Sequence, residues 1–431
     1  MKVFVERMGI NGEGIAIIPD GKDKGKLIFI DGAIEGEVVD IDIVSDRGQF
    51  FVAKLNNIKT MSQDRVKPKC KYFGVCGGCD LQHMNAIKQS KIKIDGVLQT
   101  LKRIANIDDI NCEIVSLNKW NYRNKMVFPF SYVNNNLVIG MNSKKSHDVV
   151  NIDNCLIADD NINKILSISK NYFNTLKDDK VLTNLKYLVV RSIDNQNLVT
   201  IVSKKKIDIS NYYIYLKNNF EKIGLSLIVS DNKKDILSGK YYYIDGLEKI
   251  SVNENGINYS FNNLGFIQVN SEIKESLYQE VLNNIEKGDI VIDGYGGAGL
   301  LAGIISRNCK KVKTVEINKS ASLSAKNLAI ENNIKNIEVY NDDFANVLSD
   351  IIEPSSVLLL DPPRSGCDKS VIDTVNNNID SIKKIIYISC NPSTLARDLK
   401  MLKGYFVKNI KLYDMFPQTK HVETLVVLER T

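Results

Sequence analysis

The feature that most constrains the fold is an alternation of apolar strand-like runs and helical patterns that begins at about residue 270. The strand-like runs occupy 289–293, 313–316, 337–340, 357–361, 384–389, 404–413 and 422–428, and the helical patterns occupy 274–286, 300–306 and 321–332. Alternating β and α units predict a doubly wound, mainly parallel sheet, whose ligands bind at the carboxyl ends of the strands. We therefore predict an α/β domain in which functional residues follow strand ends.

The first 58 residues have a different pattern, with short alternating runs separated by glycines. These runs occupy 2–7, 14–19, 26–30, 35–44 and 49–55. Five short strands closed by glycine turns predict a small OB-like β-barrel, a kind of fold that commonly binds oligonucleotides. An ordinary barrel without a ligand fits the same pattern.

The middle of the chain mixes strand-like runs with a helix near 162–176, which is typical of an α+β domain. Its strand-like runs occupy 127–132, 137–141, 185–191 and 198–203. We therefore divide the 431 residues into a barrel (1–58), a central α+β domain (59–265) and the α/β domain (266–431).

The distribution of charge limits the class of protein. The segment between Ile58 and Lys125 contains thirteen Lys or Arg and six Asp or Glu, so its net charge is +7. Because the whole chain has a net charge of +6, the rest of the chain is close to neutral. A basic segment beside a neutral remainder is typical of a phosphate-contacting surface, although a solvated lysine-rich face fits equally.

The apolar runs are too short to span a membrane, so we expect a cytoplasmic protein with no membrane partner. Nothing in the sequence calls for an obligate protein partner.

Several acidic residues lie at predicted strand ends. The glycine turn 293–299 follows a strand, and Glu316 and Asp343 (or Asp342) follow the next two strands. A glycine turn lets backbone approach a nucleotide, and an acid about twenty residues later can hold ribose hydroxyls. Asp361 ends a fully apolar strand and is followed by two prolines. Each acid alone could be a helix cap or a turn residue, but the set favours a ligand site.

The eight cysteines are not arranged like a secreted disulfide scaffold, which leaves metal binding or catalysis as the functional roles. Cys390 leaves a buried strand at the predicted site edge, where a thiol can act as a nucleophile. Cys70, Cys76 and Cys79 are separated by five and then two residues, which predicts a chelating loop that lacks one ligand. Spacing alone does not distinguish zinc from an iron-sulfur cluster.

Three motifs occur in a fixed order: Asp-Pro-Pro-Arg-Ser-Gly at 361–366, Ser-Cys-Asn-Pro at 389–392 and His-Val-Glu-Thr at 421–424. Phe-Ile-Gln-Val-Asn at 266–270 and the glycine turn with Tyr295 accompany them. Together they resemble the bacterial RNA (uracil-5-)-methyltransferases, and the resemblance spans nearly the whole chain. The barrel resembles the TRAM domain of members that act on 23S ribosomal RNA.

The resemblance implies a Rossmann-like domain that binds S-adenosylmethionine. The residues it places around this cofactor or the target base are Gln268, Tyr295, Gly297, Gly299, Glu316, Asp343 and Asp361. It also implies catalytic roles for Asp361, for Cys390 as nucleophile and for Glu423 as base. Arg123 resembles a residue near the base that could stabilise an enolate oxygen. A phosphate contact or a surface ion pair fits Arg123 equally.

The resemblance extends to the cysteines, since Cys70, Cys76, Cys79 and Cys155 are similar to the ligands of a [4Fe-4S] cluster in the ribosomal RNA members. The implied reaction is methylation of uracil C5 in 23S ribosomal RNA through a Cys390 adduct at C6. The target base must leave its stack to reach the pocket. The alternatives are a uridine in the transfer RNA T-loop, a cytosine target, and an RNA-binding iron-sulfur protein without catalysis.

Overall fold

A closed five-stranded barrel forms the N-terminal part of the chain, as the glycine-punctuated pattern predicts. The computed structural model describes residues 1–108, 110–133, 136–144, 146–176, 178–232 and 235–431. The barrel strands are β1 (Lys2–Met8), β2 (Gly14–Ile17), β3 (Leu27–Asp31), β4 (Val38–Asp46) and β5 (Phe50–Thr60). They pair in the order β1-β2-β3-β5-β4 and enclose alternate apolar side chains.

The central region is a seven-stranded sheet covered by helices. After helix α1 (Ala86–Ala105) and strand β6 (Cys112–Val115), its strands are β7 (Lys125–Val133), β8 (Asn136–Asn142), β9 (Val149–Asn151), β10 (Leu185–Ile193), β11 (Gln196–Ser203), β12 (Ile223–Val229) and β13 (Lys240–Gly246). Its helices are α2 (Asp160–Thr175), α3 (Asp179–Leu182) and α4 (Ser210–Lys217). The strand order is β13-β12-β11-β10-β7-β8-β9, followed along the chain by a hairpin of β14 (Ile250–Glu254) and β15 (Ile257–Phe261).

The C-terminal sheet has eight strands in the order β18-β17-β16-β19-β20-β22-β21-β6. Its further strands are β16 (Ile290–Gly294), β17 (Lys311–Val315), β18 (Ile337–Tyr340), β19 (Ser356–Leu360), β20 (Ile382–Ser389), β21 (Tyr405–Tyr413) and β22 (Glu423–Arg430). Its helices are α5 (Ser271–Asn283), α6 (Leu300–Ser306), α7 (Lys319–Glu331), α8 (Phe344–Ile351), α9 (Lys369–Asn377) and α10 (Pro392–Met401). Strands β16 to β20 are parallel and β22 is antiparallel to β20. The predicted doubly wound, Rossmann-like α/β fold is confirmed.

One segment lies elsewhere than the sequence-based division placed it. Residues 86–115 were assigned to the central domain, but β6 pairs in parallel with β21 at the edge of the C-terminal sheet. Val97 and Leu101 of α1 pack in the same core as Leu395 and Leu399 of α10. The apolar face of an amphipathic helix specifies burial without naming its partner, so local sequence did not reveal this docking.

Buried charge ties α1 to the C-terminal sheet. Lys93 of α1 lies 2.5 Å from Asp414, and the two side chains are 1% and 2% exposed. Asp414 also accepts a hydrogen bond from Ser116 at 2.7 Å and lies 3.3 Å from Lys119. The carboxylate is therefore surrounded by donors from α1 and from the residues that follow β6.

In the part of the chain that the structure describes, no helix has the length and apolar character to cross a membrane.

We predict that Asp414→Ala lowers the free energy of unfolding by about 3–5 kcal/mol, because it leaves Lys93 buried without its counter-charge. The matched control is Asp373→Ala, which breaks an exposed pair with Lys369 on α9 and should cost no more than about 0.5 kcal/mol. Urea unfolding of both variants measures the difference. Equal shifts in the two variants would show that the buried pair does not secure the docking.

Candidate active site

The glycine turn after β16 brings backbone close to the next strand. Tyr295, Gly297 and Gly299 all have positive φ, at 68°, 56° and 81°. A Cβ atom at Gly296 would lie 1.9 Å from the hydroxyl oxygen of Thr314, so only glycine fits there without rearrangement. A tyrosine in the left-handed region is strained, and such strain concentrates at ligand-binding turns.

Glu316, at the end of β17, fixes the glycine turn to the next loop. One carboxylate oxygen accepts from the amide of Gly297 at 3.0 Å, and the other accepts from the amide of Asn318 at 2.6 Å. Each carboxylate oxygen has a second lone pair, so Glu316 can still accept from a ligand hydroxyl. Asp343 follows β18 at the same sheet edge, where it caps α8 by accepting from the amide of Ala345 at 3.0 Å.

Asp361, Cys390 and Glu423 meet at adjacent ends of β19, β20 and β22. Thr424 is the register partner of Ser389, which sets Glu423 beside Cys390. Burial raises the pKa of Glu423 to about 8, and the charge of Asp361 adds to the rise. Burial also raises the pKa of Asp361 to about 7. Both carboxyls therefore titrate near neutral pH.

The Cys390 thiol lies in the same electrostatic environment. Burial raises its pKa, and the charge of Glu423 raises it further. The guanidinium of Arg364 opposes both effects, because its charge and its hydrogen-bonding interaction with the thiol each act to lower the pKa of Cys390. Arg364 also opposes the rise in the pKa of Glu423. It is thus the cation that favours the charged form of both groups against the effect of burial.

Arg364 stands within the motif at 361–366, but its sequence pattern alone indicated no role for it. The loop that carries it is held by Asp398, which is fully buried and accepts from the amide of Cys367 at 2.8 Å. The carbonyl of Arg364 accepts from the Asn391 side chain at 3.0 Å. The Arg364 loop is therefore joined directly to the loop that follows Cys390. The sequence signal that could have identified Arg364 is its position three residues after Asp361 in the same motif.

A cavity of about 240 Å³ lies against Cys390. Its other walls come from α1, from the β1–β2 connection of the barrel and from 420–422. The cations that line it are Lys93, Arg364 and Lys420, and no Asp or Glu is among its lining residues. It shares Ile10, Asn11, Thr100 and Lys420 with a groove of about 850 Å³ along the barrel.

The 266–270 segment joins this site to the central domain. Gln268 is buried, and its carbonyl accepts from the side chain of Asn124 at 3.1 Å. Arg123 forms backbone bridges to Asn270 and to Ala158. Its side chain donates to the carbonyl of Lys125 at 3.1 Å and lines the cysteine cavity. Among the described contacts, none joins Arg123 to Cys390 or Glu423, and the cation that interacts with both is Arg364.

The four cysteines singled out from spacing and resemblance line one cavity of about 290 Å³. They are Cys70, Cys76, Cys79 and Cys155. Burial raises the pKa of the Cys79 thiol to about 12, and the other three thiols contribute to the rise. Among the described residues, no group of three or more potential ligands is arranged to hold a metal ion. The thiols are thus neighbours without forming a coordination site for one ion.

Comparison with known proteins agrees with this arrangement. Residues 87–431 match the family described as tRNA (Uracil-5-)-methyltransferase. A protein of Clostridium tetani named "Uncharacterized RNA methyltransferase" is 34% identical and covers 99% of this chain and 95% of its own length. A similarly named protein of Clostridium acetobutylicum is 31% identical, with 100% and 96% covered.

Among solved structures, the fold resembles the Pyrococcus abyssi tRNA (uracil-54, C5)-methyltransferase in complex with S-adenosyl-L-homocysteine, with a TM-score of 0.76. The two chains are 23% identical, and the match covers 99% of this chain and 100% of the other. The family match includes all three ordered motifs and so confirms the resemblance drawn from them. This chain belongs to the tRNA (uracil-5-)-methyltransferase family of RNA methyltransferases.

Proposed function

We propose that the protein transfers the methyl group of S-adenosylmethionine to C5 of a uridine in 23S ribosomal RNA through a covalent Cys390 adduct. The observation that best supports the chemistry is the convergence of Cys390, Glu423, Asp361 and Arg364 at one sheet edge. A nucleophile, a base of raised pKa and one cation that interacts with both are the groups that this reaction requires.

In the first half of the reaction, the Cys390 thiolate adds to C6 of uracil. The C5=C6 electron pair moves into the enolate, and C5 then attacks the methyl carbon as the carbon-sulfur bond of the sulfonium breaks. The products of this step are the C5-methylated adduct and S-adenosylhomocysteine. Arg364 favours the thiolate because its charge lowers the pKa of Cys390.

In the second half, Glu423 accepts the proton from C5. The released electron pair re-forms the C5=C6 bond, and the Cys390 thiolate leaves C6. A base that titrates near neutral pH suits this step, because its conjugate acid can then lose the proton to water. The buried position of Glu423 supplies that pKa.

The cofactor would occupy the carboxyl edge of β16 to β19. Glu316 retains acceptor capacity for ribose hydroxyls, as in nucleotide-binding sheets of this kind. The positive-φ glycine turn leaves its backbone open to close approach by a ligand. The residues proposed to line this site are Gln268, Tyr295, Gly297, Gly299, Glu316, Asp343 and Asp361.

The substrate proposal rests on the groove along the barrel, which shares four lining residues with the cavity beside Cys390. Its lining residues include four cations and three acids, together with the paired rings of Phe29 and Phe50. The cations are Arg7, Arg103, Lys420 and Lys144, of which Lys144 is paired with Asp31, and the other two acids are Glu13 and Asp80. Cations that contact phosphates and rings that stack on bases are typical of single-stranded RNA sites. The ribosomal choice rests on the resemblance of the barrel and cysteines to the ribosomal RNA members.

The second candidate substrate is a transfer RNA uridine. It is favoured because the Pyrococcus abyssi tRNA (uracil-54, C5)-methyltransferase matches 99% of this chain, so its likeness extends through the barrel. A barrel in this position is therefore compatible with either RNA.

We also propose that Cys70, Cys76, Cys79 and Cys155 hold a [4Fe-4S] cluster. The four thiols line one cavity of about 290 Å³, and their resemblance to the cluster ligands of the ribosomal RNA members favours a cluster over a single zinc ion. The cluster would cross-link the segment that carries Cys70, Cys76 and Cys79 to Cys155, which follows β9. No step of methyl transfer depends on its redox chemistry.

We predict that the anaerobically purified protein forms labelled 5-methyluridine in unmodified 23S ribosomal RNA with methyl-labelled S-adenosylmethionine. Cys390→Ala should abolish the label, whereas Cys112→Ala, a cysteine on the edge strand β6, should retain it. Nucleoside analysis measures both results. Label in transfer RNA alone would select the second substrate, and label in neither RNA would overturn the proposal.

We predict that Glu423→Gln slows release of methylated RNA by about 10²- to 10⁴-fold, because the C5 proton has no acceptor. The covalent adduct should accumulate as a slower band in a denaturing gel. In the wild-type protein, adduct decay should accelerate as the pH rises through about 8, where Glu423 loses its proton. The variant should lack this acceleration, and an unchanged pH profile would assign the base to another group.

We predict about four iron and four sulfide ions per chain after purification without oxygen. Cys79→Ser should lower both contents. Cys309→Ser changes a thiol outside the cysteine cavity and should leave both contents unchanged. A content of one zinc ion without sulfide would replace the cluster by a single-ion site.

A further inference from the structure

The connection between β21 and β22, residues 414–422, leads directly into Glu423 and has no helix or strand of its own. We call it the linker. Four consecutive carbonyls of the linker accept hydrogen bonds from other parts of the chain. The donors are Asn270 Nδ2 to Met415 at 3.5 Å, Lys93 Nζ to Phe416 at 3.2 Å, the Tyr122 hydroxyl to Pro417 at 3.0 Å, and the amides of Asp80 and Leu81 to Gln418, each at 3.0 Å.

Gln418 is the strained residue of the linker. Its φ is +71°, a left-handed conformation that disfavours residues with a Cβ atom, and it is 5% exposed. Its side-chain oxygen accepts from Gln89 of α1 at 3.1 Å. A strained backbone of this kind persists only where the surroundings determine it, and here the surroundings lie outside the C-terminal sheet.

The cysteine loop, defined as Cys76–Met84, supplies the largest share of these contacts. Both amides that bind the carbonyl of Gln418 belong to it, and the carboxylate of Asp80 accepts from the amide of Lys420 at 3.3 Å. Leu81 anchors the loop, because its side chain is fully buried in a small core with Ile34 and Ile92.

The linker is also part of the active site. Lys420 and His421 line the cavity beside Cys390, and Glu423 follows two residues later. A shift of the linker therefore displaces both the cavity wall and the start of β22. Contacts made by the cysteine loop more than 300 residues earlier in the chain thus bear on the position of the base.

We propose that the cysteine loop is a positioning element for Glu423 and acts through the left-handed backbone of Gln418. The inference rests on the proposed role of Glu423 as base. The ordered loop holds Gln418 at positive φ, and the linker then sets His421 against the cavity and Glu423 at the start of β22, beside Cys390. Whatever the four thiols bind influences methyl transfer by ordering this loop and takes no part in the chemical steps.

The test uses the full-length protein with Leu81→Ala, which removes the buried anchor of the loop. This change is combined with Gln418→Gly and, separately, with Gln418→Ala. Both substitutions at 418 lose the contact with Gln89, but only glycine accepts a positive φ without strain. The control is Ile139→Ala on β8, which removes an equally buried side chain from the central sheet.

Two measurements follow the linker and the base separately. Hydrogen exchange of the amides of 419–421 reports linker order, and single-turnover methyl transfer reports its effect on the reaction. With Leu81 intact, the two variants at 418 should have the same rate as each other, because the ordered loop holds residue 418 at positive φ in both. In the Leu81→Ala background, the alanine variant should fall about 5- to 30-fold below the glycine variant, with faster exchange and unchanged RNA affinity.

The proposal is overturned if Leu81→Ala leaves exchange at 419–421 unchanged, if Ile139→Ala accelerates it equally, or if the glycine and alanine variants behave alike. Should Leu81→Ala not fold, Asp80→Ala removes the acceptor for Lys420 and should give the same order of effects on exchange. If the wild-type protein methylates no RNA, the proposed function fails alone. Hydrogen exchange still decides the coupling between loop and linker in that case.

Discussion

The desolvation of carboxylates at one sheet edge is the constraint on which the active site depends. Asp293 and Asp361 lie at or beside the carboxyl ends of β16 and β19, Glu423 begins the antiparallel β22 at the same edge, and burial raises the pKa of each. Such groups cost stability as the pH rises, because the folded state retains protons that the unfolded chain has lost. Arg364 is the cation that offsets this cost at the Cys390 end. The same electrostatics raises the pKa of Glu423 to about 8 and raises the pKa of the Cys390 thiol, a rise that Arg364 opposes.

The N-terminal half completes this site. Helix α1 and the β1–β2 connection supply walls of the cavity beside Cys390, and α1 is fixed to the sheet by the Lys93–Asp414 pair. The cysteine loop and Tyr122 hold the linker before Glu423. The Rossmann-like sheet thus sets the edge at which Glu316 and Asp361 lie, whereas the cavity beside Cys390 is assembled from several regions of the chain.

Much of the fold could be predicted because its signals are local. Strand β19 is apolar without interruption from Val357 to Leu360, which predicts a parallel strand buried on both faces. The glycine-separated runs of the first 58 residues likewise predicted the barrel. The sequence could not place 86–115, since an amphipathic helix and a four-residue strand fit either neighbouring sheet. Arg123 and Arg364 show the same limit, because both stand in motifs but only Arg364 interacts with Cys390 and Glu423.

The sequence by itself determined the succession of strands β16 to β22, the glycine turn, and the strand ends at which Glu316, Asp361 and Cys390 lie. It did not reveal helices α8, α9 and α10. Periodicity and turn chemistry act within a few residues and need no knowledge of distant contacts. Only the tertiary structure decided which groups share a cavity and how their pKa values shift. The burial of a residue and the charges that shift its pKa depend on residues far apart in the chain. The hydrogen bonds from Asp80 and Leu81 to Gln418 are contacts of this long-range kind. The left-handed backbone of Gln418 belongs to the same class, because only its partners hold it there.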